Sequence, residues 1–147
     1  MRKVISNTSC LIALSNIGRL EVLRGLYGTI LITSEVAGEF GEMLPEWISV
    51  VPVADPSKTK LIQQTLDLGE SSTIALAIET ADSLLILDDG KARRFAKNMG
   101  LTMTGTLGVI VKASQVGLIE DVATVIAEFR QNGFRIPPDI EKELSLR

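Results

Sequence analysis

Leu84-Leu85-Ile86-Leu87-Asp88-Asp89-Gly90-Lys91 is the stretch on which the fold turns. Its apolar start reads as a strand buried on both faces, and it ends in two adjacent carboxylates followed by a helix start. The opening run Val4-Ile5-Ser6-Asn7-Thr8-Ser9 repeats the design, with the neutral amide Asn7 where an acid is expected. Outward from these two runs, short β-branched segments alternate with helical patterns. That alternation marks βαβ units and a parallel sheet covered on both faces, an α/β fold.

Strands are expected at Lys3 to Ser6, Thr29 to Thr33, Ile48 to Val53, Ser83 to Leu87 and Leu101 to Thr104. Helices are expected at Ser9 to Ile17, Leu20 to Leu26, Ser34 to Met43, Lys58 to Leu66, Glu70 to Thr80, Lys91 to Met99, Thr106 to Val116, Asp121 to Asn132 and Pro138 to Leu146. Asp121 suits a helix cap, Asn132-Gly133 a helix stop and Pro138 a first helical residue. Val122, Val125, Ile126 and Phe129 make one apolar stripe that reads as core. Pro52 to Pro56 is the one candidate flexible insertion.

The chain has 147 residues, 46% of them hydrophobic, which suits a single domain spanning residues 1–147. No apolar run is long enough to span a bilayer, and no cleavable leader follows Met1-Arg2-Lys3, so a soluble cytoplasmic protein is expected. Cys10 is the single cysteine and reads as a buried thiol; there is no histidine. Intramolecular disulfides, cysteine-cluster metal sites, Ser-His-Asp triads and Cys-His dyads are excluded. Chemistry must rest on carboxylates, hydroxyls, amides and basic groups. The net charge of -3 argues against a uniformly basic surface that coats nucleic acid.

In a doubly wound sheet the ligand crevice lies outside the carboxyl ends of the strands, where Asn7 and Asp88-Asp89 both fall, about 80 positions apart in sequence. Asp89 also suits the cap of the helix from Lys91. Helical spacing puts Glu70 on the face of Ile74, Ala77 and Ile78, directed inward, although a first-turn glutamate also favours the helix dipole. Glu39 lies at the edge of the stripe Val36, Phe40 and Met43 and reads equally as a solvated acid. Converging acids repel unless a cation neutralises them, and oxygen ligands suit Mg²⁺ or Mn²⁺. Lys91, Arg93, Arg94 and Lys97 share one helix side, opposite Ala92, Phe95, Ala96 and Met99. Alone this is a solvated face; beside a metal-binding cleft it reads as a phosphate clamp. Thr104 and Thr106 offer hydroxyls and a helix N-terminus to the same cleft.

Five stretches taken in order, SNTSCLIALSNIGRLEVL, ILITSEVAGEF, LGESSTIALAIE, LLILDDGKARRFAKNMGL and TGTLGVIVKASQVGLI, cover nearly the whole chain. On these the chain resembles a PIN domain, of the compact branch related to toxin ribonucleases of toxin-antitoxin pairs. The resemblance implies a three-layer α/β/α fold with a central parallel sheet and Mg²⁺- or Mn²⁺-dependent hydrolysis of RNA. It also implies an antitoxin partner and a homodimer. Carried over by position, the acidic set is Asn7 in place of the first aspartate, then Glu39, Glu70, and Asp88 or Asp89, with Asp89 marginally better placed. Asn7 departs from the pattern, because an amide oxygen ligates a hard cation but brings no charge. Weakened activity is one expectation; an inactive RNA-binding or protein-binding module is the alternative. A phosphorelay receiver or a haloacid-type phosphatase needs its acid after the first strand, where Asn7 stands.

Overall fold

A computed structural model describes residues 2–136. Five strands, β1 (Lys3–Ser6), β2 (Ile30–Ile32), β3 (Ile48–Val50), β4 (Ser83–Ile86) and β5 (Thr102–Thr104), form one sheet in the order β3-β2-β1-β4-β5. Every pairing is parallel, with Ile5 opposite Leu31 and Leu85, and Leu85 opposite Met103. The helices are α1 (Thr8–Asn16), α2 (Glu21–Tyr27), α3 (Ser34–Phe40), α4 (Pro56–Ile62), α5 (Leu68–Glu79), α6 (Gly90–Asn98), α7 (Thr106–Gln115) and α8 (Val122–Gln131).

The three layers follow from side-chain alternation along the strands. Val4, Leu84 and Ile86 face a core with residues of α1, α2, α3, α7 and α8, whereas Ile5, Leu85 and Leu87 face a second core with α4, α5 and α6. Leu85 and Ile86 are both fully buried on opposite faces, each worth about 2–3 kcal/mol of apolar burial. This two-sided burial is why β4 reads as continuously apolar. The chain first builds outward from β1 to β3 and then returns to the other side of β1 with β4. The switch point, where a crevice opens, therefore lies between β1 and β4.

The strands match expectation closely; several helix ends do not. α3 stops at Phe40, because Gly41 takes a left-handed φ of 68° and closes the helix, and Met43 is left 94% exposed, outside the stripe assigned to it. α4 starts two residues early, on Pro56 capped by Asp55, and ends at Ile62. The segment Pro52 to Pro56 is tied down rather than a flexible insertion: the Glu79 carboxylate accepts from the backbone N–H of Ala54 and Asp55. α5 begins at Leu68, not Glu70, with Asp67 as its cap. Ile78 is 38% exposed, so the inward face of α5 ends at Ala77. The α8 stripe is core, with Val125, Ile126 and Phe129 buried, and Asn132-Gly133 stops the helix with Gly133 at φ 80°. The helix expected over Pro138 to Leu146 lies outside the described residues. Among the described residues no helix is long and apolar enough to cross a membrane.

Candidate active site

The site is assembled at the carboxyl ends of β1 and β4. Ser6 pairs with Ile86 and the Asn7 N–H donates to the Ile86 carbonyl at 3.0 Å, so Asn7 leaves β1 beside Leu87 and Asp88 on the neighbouring strand. The Asn7 side chain is 5% exposed, and its Oδ1 has no hydrogen-bond partner. A buried amide oxygen without a donor is costly, by about 1–3 kcal/mol, and this oxygen is open to a ligand that brings positive charge.

The two aspartates after β4 have different tasks. Asp88 accepts from the Thr106 N–H at 2.7 Å and from the Thr106 hydroxyl at 2.5 Å, using both oxygens to bind β4 to the start of α7. Asp89 caps α6, with Oδ2 accepting from the Ala92 N–H at 3.0 Å, so the expected cap falls on this residue while the helix starts at Gly90. Its second oxygen remains for the cleft.

Glu70 arrives from the opposite wall. Asp67 caps α5 by accepting from the Glu70 N–H at 3.0 Å, which fixes the first turn and turns the Glu70 side chain inward as its helical position requires. Glu70 is 9% exposed. Burial, with the negative charges of Asp67 and Asp89 beside it, lifts its carboxyl from 4.5 to about 7. Glu70, Asp88 and Asp89 line one cleft of about 550 Å³, with Phe134 and Arg135 across from them. Sequence reasoning missed Asp67 beside Glu70, and the cleft walls supplied by Ser9, Ile12 and Asn16 of α1 and by Asn132, Phe134 and Arg135 after α8. Asp67 carried a readable signal, an acid three residues before Glu70; Arg135 carried none.

The other expected residues lie elsewhere. Glu39 accepts from the Thr8 hydroxyl at 2.5 Å and stands against Gly69, where any Cβ would overlap its carboxylate; it does not line the acid cleft. Lys91, Arg94 and Lys97 form an exposed row on α6, but Arg93 leaves it to donate to the Leu87 carbonyl at 2.7 Å. Met99 is 51% exposed and closes the helix rather than packing opposite the row. Thr104 lines an adjoining cleft, whereas Thr106 is fully buried and committed to Asp88. Cys10 is buried as expected, and burial, aided by the charge of Asp88, pushes its thiol up to about 12, which leaves it inert.

The sequence profile of the PIN domain family matches residues 3–145. The chain belongs to the PIN domain family. No curated protein matches it. The family is nuclease-like, and its members typically use divalent metal ions, which require hard oxygen donors. Asn7 Oδ1 without a partner, the free oxygen of Asp89 and the crowded carboxyl of Glu70 are hard oxygen donors of the right kind. Yet among the described residues no three acidic, histidine or cysteine side chains form a ready-made metal cluster. The set fits a cation that keeps several waters and is held weakly, not one enclosed by protein ligands.

Two expectations follow for this PIN domain. Replacing Gly69 with alanine should break the Thr8–Glu39 bond by pushing the carboxylate away, costing about 1–2 kcal/mol. Urea unfolding of Gly69→Ala, Thr8→Val and the double variant checks this: the double variant should cost less than the sum, and full additivity would show that the two residues do not interact. The second concerns pH. The native state holds the Glu70 proton over pH 4.5 to about 7, where the unfolded state has released it. This contribution to stability is fully present below pH 4.5 and lost as pH rises through 7. Glu70→Gln, which mimics the protonated form, should therefore be more stable than wild type at pH 8 in EDTA. The expected difference is about 1–2 kcal/mol after screening in an open cleft, and it should shrink toward pH 4.5. A difference independent of pH would remove the proposed crowding.

Proposed function

We propose that this PIN domain is a Mg²⁺- or Mn²⁺-dependent endoribonuclease of low activity. The observation that carries the reading is the convergence of Glu70 and the Asp88-Asp89 pair, from α5 and the end of β4, on one cleft beside Asn7. Asn7, Glu70 and Asp89 would hold the cation, while both oxygens of Asp88 are taken by Thr106. When bound, the cation would offset the carboxylate charge and polarise the scissile phosphate for attack by water. Glu70 would also orient the attacking water in the cleft that it lines. Thr106 keeps Asp88 in one orientation, and the row Lys91, Arg94 and Lys97 supplies charge for the RNA backbone. An antitoxin partner and a homodimer belong to the same reading through the family resemblance; light scattering of the purified chain tests the dimer.

The test is Mn²⁺-dependent cleavage of a mixed, end-labelled RNA. Glu70→Gln and Asp89→Asn, the latter keeping an equally good helix cap, should each lose about 10²- to 10⁴-fold in rate while unfolding no more easily than wild type. Wild-type rates in both would sink the reading.

A second reading has its own support. Asn7 brings no charge, both Asp88 oxygens are occupied by Thr106, and the described residues contain no acidic metal cluster. These favour an inactive RNA-binding module, expected to bind RNA with a steep salt dependence and to cleave nothing at any Mn²⁺ concentration.

A further inference from the structure

A second cleft of about 460 Å³ adjoins the acid cleft and shares Asp88, Phe134 and Arg135 with it. Its walls are Arg93, Thr104, Gly105 and Leu107, with Phe134 and Arg135 forming the ridge between the two depressions. Two guanidinium groups border it. Arg93 is anchored by the bond from Nη1 to the Leu87 carbonyl, which fixes the plane of its fork in the wall. Arg135 is exposed on the ridge. The acid at the border is already satisfied, since Asp88 spends both oxygens on Thr106. The floor is kept open by a missing side chain: a Cβ at Gly105 would lie 3.0 Å from Asp88 Oδ1 and 3.2 Å from Arg93 Nη1. Phe134 is half-buried, packed on Phe129 with ring centroids 4.8 Å apart, and so offers a rigid aromatic edge at the rim.

From this we infer that the second cleft is a nucleotide subsite that holds the RNA residue next to the one at the acids. Arg93 and Arg135 take its phosphate, and Phe134 contacts its base. The inference rests on RNA being the ligand of the acid cleft, and it names residues which that reading does not use. An extended single strand passing from one depression to the other crosses the ridge at Arg135, where a backbone phosphate meets a guanidinium. An acidic peptide would satisfy the two arginines but has no planar face for Phe134, whereas every base has one.

The experiment uses the full chain, a short fluorescent single-stranded RNA and anisotropy in EDTA, so that binding is read without cleavage. Arg135→Ala and Phe134→Leu should each weaken binding by about tenfold. Phe134→Tyr, which keeps the ring, should stay near wild type, and Lys60→Ala, on α4 outside both clefts, should be unchanged. Wild-type affinity in Arg135→Ala overturns the subsite, as does equal competition by polyglutamate and RNA. The two readings separate cleanly. Cleavage that depends on Glu70 with no effect of Arg135 would keep the nuclease and discard the subsite. RNA binding that depends on Arg135 and Phe134, without cleavage, would keep the subsite and discard the nuclease.

Discussion

Asn7→Asp is expected to raise Mn²⁺-dependent RNA cleavage and Mn²⁺ affinity by about ten- to a hundredfold, because ligand charge count tunes the affinity of hard-cation sites. Asn7 follows β1 next to the end of β4, which Asp88 follows, and it is buried with its amide oxygen lacking any donor. An aspartate there adds a full charge where a cation can meet it. The same charge is a burden without metal, because a buried carboxylate with no donor is poorly solvated. The variant should thus melt below wild type in EDTA, by an amount worth about 1–3 kcal/mol, and recover in millimolar Mn²⁺. This crossover distinguishes a ligand position from a merely tolerant one. A variant that cleaves no faster and melts identically with and without Mn²⁺ would show that position 7 takes no part in metal binding.

Phe129→Ala is expected to produce the largest loss of stability, about 3–5 kcal/mol. Phe129 is fully buried in α8, packs against Phe134, and lines the acid cleft from below. Its truncation leaves a cavity beneath the ridge that carries Arg135. A domain of this size should lose roughly 10 °C in melting temperature, since each kcal/mol is worth about 2–4 °C. Phe129→Leu, nearer in volume, should cost less than half as much. Thermal and urea unfolding of the two variants checks the ranking. A loss below 1 kcal/mol in Phe129→Ala would mean that α8 is not integrated with the core. RNA binding in EDTA should fall in Phe129→Ala alongside stability, because Phe134 loses the ring that supports it.

The part of this molecule legible in the sequence is the part that rests on local periodicity. β4 and β1 are apolar on both faces because helices cover both sides of the sheet, and that condition writes continuous runs rather than alternation. The strand ends then locate Asn7, Asp88 and Asp89, since in such a sheet the crevice lies beyond the carboxyl ends. Helix ends were less legible where a single dihedral decided them. Gly41, in a left-handed turn, cut α3 short of Met43, and Asp67 drew the start of α5 forward from Glu70. The inward direction of Glu70 survived this shift, because its helical phase relative to Ile74 and Ala77 does not depend on where the helix begins.

By itself, then, the sequence determined the α/β class and the strand positions, from spacing within single elements, and it put Asn7, Asp88 and Asp89 at strand ends, where a parallel sheet opens its crevice. Only the tertiary structure decided which polar groups meet. Thr106 closes on Asp88, Thr8 on Glu39, and Arg93 turns away from its row to the Leu87 carbonyl. Arg135, after α8, reaches a cleft lined by α1, Glu70 of α5 and the aspartates that follow β4. These partnerships join residues from separate elements, and they depend on strand register, helix packing and available space, which side-chain spacing along one chain does not encode.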